Sequence, residues 1–106
     1  MDFSEYQERA KSTAVYPDSL NGAFFYPCIG LAGEVGELLN KIKKLARDNA
    51  KIDKEDLKGE LGDILWYVSQ ISTELGIDMN DVVSSNLEKL RSRQERGKIG
   101  GSGDHR

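Results

Sequence analysis

The chain has 106 residues, of which 38% are hydrophobic, 31% charged and 8% aromatic. This length fits one domain and argues against two. It allows one modest core, but no deep cleft formed by a single chain. The formal net charge of −3 disfavours a nucleic-acid-binding surface, so we expect no nucleic-acid partner. We also expect no membrane partner, because no apolar run approaches the roughly 20 residues that span a bilayer.

Cysteine and histidine each occur once, as Cys28 and His105. A single cysteine excludes an internal disulfide and is typical of a reducing, cytoplasmic location. The N-terminus also lacks the basic start and apolar stretch of a signal peptide, which favours the same location. A lone histidine near the end of the chain removes His-ligated zinc sites and Ser–His or Cys–His catalysis from consideration.

Apolar residues recur at spacings of three and four, and the alternation typical of strands is nearly absent. The sequence therefore predicts an all-α fold built from four helices. The first is predicted over about residues 3–15, capped by Ser4, before the turn signals at residues 16–19. The second is predicted from the region of residues 22–27 to about Asp48.

The last two helices have clear start and stop signals. Asp53 and Asp78 are predicted to cap their first turns, and Gly76 and Arg96 mark their ends. Because the connections are short, we expect the second, third and fourth helices to be sequential antiparallel neighbours in a bundle.

Two acidic segments share an unusual pattern: GEVGELL at residues 33–39 is echoed by GELGDIL at residues 59–65. Each segment has two glycines in mid-helix, and each such glycine costs about 1 kcal/mol relative to alanine. Four would cost about 4 kcal/mol, against a typical net stability of about 5–15 kcal/mol. Glycine makes sense there if another backbone, or a polyanion with its metal, must come close.

The four acidic side chains of these segments are predicted to converge. On a helical wheel, Glu34 and Glu37 flank the apolar face of the second helix, and Glu60 and Asp63 flank that of the third. If the helices pack antiparallel about a local two-fold, like flanks meet. Four adjacent carboxylates repel one another unless cations neutralise them. Oxygen-only ligands select hard cations, Mg²⁺ first and Mn²⁺ second.

The alternative is that these acids lie on solvated helix faces with ordinary ion pairs, such as Glu37 with Lys41. The duplicated glycine-flanked pattern favours the metal site over this alternative. Lys41 shares the carboxylate flank, and substrate binding and simple ion pairing explain its position equally well. A di-iron carboxylate site is disfavoured, because it needs Glu-x-x-His on two helices.

Three motifs in order resemble those of a known family. Glu-x-x-Glu at residues 34–37, ELGDILWY at 60–67 and NLEKLRSR at 86–93 resemble the MazG-like family of all-α nucleotide pyrophosphohydrolases. The resemblance covers the chain from about Tyr16 to its end, and the tail is similar to that of a short single-domain subgroup. It implies an antiparallel four-helix bundle-type domain, completed by dimerisation or in a tetramer in which two subunits form each site.

The resemblance also implies the reaction: Mg²⁺-dependent hydrolysis of a nucleoside triphosphate to the monophosphate and pyrophosphate, in nucleotide-pool housecleaning. In the family the acidic motif coordinates the metal, which carries over to Glu34, Glu37, Glu60 and Asp63. Metal would act as a Lewis acid on phosphate oxygens, and a carboxylate would take a proton from water. Glu37 is our first candidate for this base and Glu34 the second.

Positive charge for the pyrophosphate is expected from the fourth helix. Asn86, Lys89 and Arg93 form one stripe on it and are candidate substrate-binding residues. The alternative for Lys89 and Arg93 is a favourable cationic C-terminal turn of the helix. Asn86 is expected close to the apolar face, where a buried amide needs partners.

Aromatic residues give two further candidates for substrate contact, Trp66 and Tyr67. Trp66 points away from the apolar face of its helix, which favours a subunit interface over base stacking. Tyr67 shares the carboxylate flank, where substrate contact and helix packing are equally consistent. The aromatic run at residues 24–26 favours packing, with a wall of a nucleobase pocket as the alternative.

The chain divides into a helical domain at residues 1–96 and a Gly-rich tail at residues 97–106. Composition predicts a flexible tail, although Lys98, Arg106 and its small residues would suit a loop wrapped around a phosphate. The competing function is a non-catalytic helical oligomerisation or regulatory module that retains a metal or nucleotide site. The intact set of four acids favours the enzyme.

Overall fold

A computed structural model describes residues 1–17 and 24–105 of the protein. The described residues form four helices and no strand, so the predicted all-α bundle is confirmed. The helices are α1 (Phe3–Lys11), α2 (Phe25–Asp48), α3 (Lys54–Glu74) and α4 (Met79–Glu95). None of them combines the length and apolar character that a membrane span requires. Part of the predicted turn at 16–19, the earliest predicted start of α2 and Arg106 lie outside the described residues.

The predicted caps of α3 and α4 are confirmed. Asp53 accepts hydrogen bonds from the backbone N–H groups of Glu55 and Asp56, and Asp78 accepts one from Asn80. These bonds satisfy amide groups that have no partner inside the helix. After α3 the chain turns at Gly76, whose φ of 68° is a left-handed conformation that suits glycine.

Helix α1 starts at Phe3 as predicted, but its predicted cap and its predicted end are wrong. Its N-cap is Asp2, whose carboxylate accepts from the N–H of Glu5 at 2.8 Å, while the Ser4 hydroxyl donates to Asp78 at the start of α4. The helix ends at Lys11, four residues before the predicted end. Just after it, the Thr13 hydroxyl bonds the backbone carbonyl of Ala10 at 2.7 Å, which satisfies an acceptor that the helix leaves open.

Helices α2 and α3 form an antiparallel hairpin. Gly30 of α2 lies against Tyr67 near the middle of α3, whereas Lys41, further along α2, pairs with Asp56 at the beginning of α3. The contacts therefore run in opposite directions along the two helices. This register places the acidic motif of α2 directly opposite that of α3.

The main described contacts of α4 are with α1, not with α3 as the short connection suggested. Gln7 of α1 holds this corner together. Its amide nitrogen donates to the Thr73 hydroxyl and to the carbonyl of Ile77, and its amide oxygen accepts from the N–H of Met79. One side chain thus joins α1 to the end of α3 and the start of α4.

The chain buries little of its apolar surface. Among the described residues, Ala10 and Met79 are the buried core hydrophobics, and both lie near α1 and the start of α4. Parts of the apolar faces predicted for α2 and α3 are open, since Leu39 is 58% exposed and Leu61 is 57% exposed, while Leu31 of α2 and Ile64 of α3 are half-buried. The hairpin alone does not close a core over these faces.

Candidate functional site

Three of the four predicted metal ligands lie together where α2 and α3 face each other. Carboxylate oxygens of Glu34, Glu37 and Glu60 all lie within 4.8 Å of one another, and we call these three residues the acid group. Glu60 is buried, Glu34 is half-buried and Glu37 is exposed. Asp63 stands outside the acid group, although its charge acts on Glu34.

Burial raises the pKa of the Glu34 carboxyl, and the charges of Glu37 and Asp63 raise it further. Oε2 of Glu34 and Oε2 of Glu60 are buried and accept no hydrogen bond; buried atoms of Ser69, Gln70 and Arg93 also lack a partner, but they are not carboxylate oxygens. An unpaired buried carboxylate oxygen is costly unless a proton or a cation satisfies it. Because the acid group offers only oxygen ligands, its residues fit a hard divalent cation of the Mg²⁺ and Mn²⁺ class.

Lys41 pairs across the hairpin, not with Glu37 on its own helix. Its ammonium nitrogen lies 2.6 Å from Oδ1 of Asp56 and 2.8 Å from Oε1 of Glu60. Hydrogen bonds to these two carboxylates raise the pKa of Lys41, so it is charged throughout the neutral range. Lys41 is thus a cation in direct contact with the acid group.

An aromatic cluster lies beside the acid group. Tyr16 stacks on Tyr26 with ring centroids 5.1 Å apart, and Trp66 meets both Tyr16 and Tyr67 edge-on. These rings line a cavity of about 190 Å³. The pKa of Tyr67 is raised by burial first, then by Tyr26, then by the neighbouring charge of Glu34, which shows that the two features adjoin.

The Trp66 side chain contacts residues of its own chain. Its indole N–H donates to the Thr13 hydroxyl at 2.9 Å, and its ring packs within the aromatic cluster. The expected subunit contact through Trp66 stays a prediction. Of the aromatic run at residues 24–26, Tyr26 joins the cavity, while Phe24 and Phe25 pack edge-on against each other.

The predicted substrate residues of α4 lie with the tail. The Lys89 ammonium is 3.1 Å from the Asp104 carboxylate, and the Arg93 guanidinium donates to the carbonyl of Asp104 at 2.6 Å. Arg93 is only 3% exposed, so the tail folds back onto α4 and covers it. Asn86 is exposed, so its amide is not the buried group that was expected beside the apolar face. None of the described contacts joins these three side chains to the acid group.

Sequence reasoning missed the glycine with the closest packing. A β-carbon on Gly30 would come within 2.2 Å of the Tyr67 ring. By contrast, β-carbons on the four glycines of the acidic segments would meet nothing within 4 Å. The partner of Lys41, Asp56, was also missed, because it lies outside the two acidic segments at residues 33–39 and 59–65. The antiparallel register that pairs residue 37 with residue 60 would have placed Lys41 opposite Asp56.

Comparison with known protein families gives a match over residues 28–97, to the MazG nucleotide pyrophosphohydrolase domain. The chain belongs to this family. The resemblance seen in the sequence is therefore confirmed, and the matched segment includes both acidic motifs and almost all of α2 to α4. Helix α1 and most of the tail lie outside the matched part of the MazG domain.

The MazG domain is also similar to the Gene 37 protein of Mycobacterium phage L5. The two sequences are 44% identical in an alignment 110 positions long, which covers 95% of this chain and 96% of the phage protein. No solved structure matches the chain.

Proposed function

We propose that this MazG domain hydrolyses a nucleoside triphosphate, canonical or modified, to the monophosphate and pyrophosphate, with Mg²⁺ required and Mn²⁺ able to replace it. The observation that carries the proposal is the acid group, in which two buried carboxylate oxygens have no hydrogen-bond partner. The adjoining aromatic cavity supports a nucleotide as the substrate. Such an activity would serve nucleotide-pool housecleaning.

Glu34, Glu37 and Glu60 would hold the cation, with Asp63 as a fourth ligand. Asp63 follows Glu60 by one helical turn, and its charge raises the pKa of Glu34, which supports its place as the fourth ligand. A bound Mg²⁺ supplies Lewis-acid stabilisation of the charge that develops on the phosphate oxygens.

Glu37 is the proposed general base, with Glu34 second. Glu37 is the exposed member of the acid group, so its carboxylate meets water that enters with the substrate. As that water forms a bond to phosphorus, its proton passes to the carboxylate. The bridging P–O bond between the α- and β-phosphates breaks, and pyrophosphate leaves.

Trp66 and Tyr67 are proposed to contact the base or sugar from the aromatic cavity. Aromatic faces stack on any nucleobase, because every base presents a π-face. Tyr67 belongs to both the cavity and the surroundings of Glu34, so a base against it would place the phosphates near the acid group.

A second copy of the chain is proposed to complete the site, in a homodimer or homotetramer. The exposed apolar faces of α2 and α3 support self-association, since open faces of this kind mark interaction surfaces. Asn86, Lys89 and Arg93 are not joined to the acid group of their own chain. In the oligomer they would reach the acid group of a partner and bind the pyrophosphate, with Lys89 and Arg93 exchanging their contacts with Asp104 of the tail for the substrate.

The test is to incubate the purified protein with Mg²⁺ and a panel of canonical and modified triphosphates, identifying products by mass. We expect pyrophosphate and the monophosphate. Glu37→Gln should lower kcat by about 100-fold or more through loss of the base, and Asp63→Asn should raise the Mg²⁺ requirement. Glu88→Gln, at an exposed position of α4, is the matched control.

Absence of pyrophosphate with every triphosphate, or full activity in both variants, would contradict the proposal. Calorimetry on the same panel separates the competing function. Tight triphosphate binding without pyrophosphate release would support the non-catalytic module instead.

A further inference from the structure

Lys41 lies between the acid group and the first turn of α3. Its ammonium bonds Asp56 at 2.6 Å on one side and Glu60 at 2.8 Å on the other. The Glu60 side chain is only 11% exposed, so bulk water does little to stabilise its charge. The ammonium of Lys41 provides that stabilisation.

The contact with Lys41 makes the two carboxylate oxygens of Glu60 different from each other. Oε1 is bound by Lys41, whereas Oε2 is buried and has no hydrogen-bond partner. A carboxylate held by one oxygen has a restricted orientation, and its free oxygen then points in one direction. Oε2 is therefore the oxygen left for a cation in the acid group.

Asp56 in turn restricts Lys41. A lysine side chain has four flexible methylene groups, and one carboxylate alone would hold its ammonium loosely. The second carboxylate is on the same helix as Glu60, one turn earlier, at the rigid capped start of α3. The ammonium is thus held between two carboxylates whose spacing the helix sets.

We propose that Lys41 is a positioning residue: anchored by Asp56, it orients the Glu60 carboxylate so that Oε2 is presented to the divalent cation. The inference rests on the proposed metal site, and it gives Lys41 a role other than substrate binding. To reach a phosphate, Lys41 would have to leave the Glu60 carboxylate, and a largely buried charge that loses its partner is costly. Partners of metal ligands outside the coordination sphere commonly tune metal affinity in this way.

The test measures Mn²⁺ binding to the nucleotide-free protein by electron paramagnetic resonance. Lys41→Met removes the charge but keeps most of the apolar stem, and we expect it to weaken Mn²⁺ binding by about 10- to 100-fold. Asp56→Asn, which leaves Lys41 in place, should weaken binding in the same direction but less. Lys43→Met, at an exposed position of α2, is the matched control and should bind like the wild type.

Circular dichroism checks that each variant keeps its helices, and Asp56→Asn carries the test if Lys41→Met does not fold. Unchanged Mn²⁺ affinity in the folded variants overturns the positioning role while leaving the proposed function intact. Tighter binding also overturns it, because Lys41 would then merely compete with the metal. Failure of the wild type to bind Mn²⁺ overturns both the metal site and this inference.

Discussion

At the scale of single residues, the raised pKa of Glu34 links the acid group to the pH dependence of stability. Burial raises its pKa, and so do the charges of Glu37 and Asp63. A raised carboxyl pKa means that folding favours the protonated form. In the metal-free protein, the contribution of Glu34 to stability is therefore full below the ordinary pKa of glutamate and is lost as the pH rises through the raised value.

Replacement of Glu34 by glutamine should consequently stabilise the metal-free protein at neutral pH. We expect Glu34→Gln to raise the unfolding temperature in EDTA at pH 7.5, with the gain shrinking toward pH 4, where the wild-type carboxyl is protonated. With saturating Mn²⁺ the order should reverse, because the variant lacks a ligand. Thermal unfolding between pH 4 and 8 checks this, with Glu8→Gln on the exposed side of α1 as control. An equal unfolding temperature at pH 7.5 would contradict the prediction.

At the scale of elements, α2 and α3 pack tightly against each other at Gly30. The Tyr67 ring occupies the space that a side chain at position 30 would need. This packing sets the position of Tyr67 between the aromatic cavity and the acid group. Among the described residues, the four glycines of the acidic segments have no such neighbour. Under the proposed function, a ligand or another copy of the protein would come close to them.

Alanine substitutions should separate these two kinds of glycine. Gly30→Ala should lower the free energy of unfolding by about 1 kcal/mol or more, because it forces the Tyr67 ring to move. Gly33→Ala and Gly59→Ala should each raise it by up to about 1 kcal/mol, through higher helix propensity. Urea unfolding in EDTA, at low protein concentration, measures all three. A Gly30→Ala protein as stable as Gly33→Ala would show that the contact with Tyr67 does not constrain the hairpin.

At the scale of the whole molecule, the dominant feature is apolar surface that the described residues leave exposed. Leu39, Ile42 and Leu61 are 58%, 45% and 57% exposed, although they belong to the faces predicted to form the core. Burial of one leucine side chain contributes about 1.5–3 kcal/mol. These side chains give the strongest reason to expect a second copy of the chain on this side of the hairpin.

Light scattering during gel filtration should find a dimer or tetramer at micromolar concentration. Leu39→Glu should weaken self-association by about tenfold or more, since it places a charge in the proposed interface, where the leucine would be buried. Val15→Glu is the control: Val15 is 94% exposed but does not belong to the face of α2. A monomeric wild type, or equal dissociation in both variants, would contradict the proposed assembly.

Local sequence signals determined the helices and the acidic pairs of this protein. Asp53 and Asp78 cap helices because a carboxylate reaches amide groups two or three residues ahead, and Glu34 and Glu37 share a helix flank because they are three residues apart. Such relations depend on neighbours along the chain. The spacing therefore indicated them correctly, together with the family.

Tertiary structure decided the rest. The pairing of Lys41 with Asp56, the packing of Gly30 against Tyr67 and the docking of the tail on Arg93 join residues that are distant in sequence or separated by a turn. Helix α4 packs against α1 and not against α3 as predicted, and this contact is also tertiary. The Gln7 amide of α1 makes three hydrogen bonds at the end of α3 and the start of α4. Contacts of this kind depend on the register between helices, and periodicity within a single helix carries no information about that register.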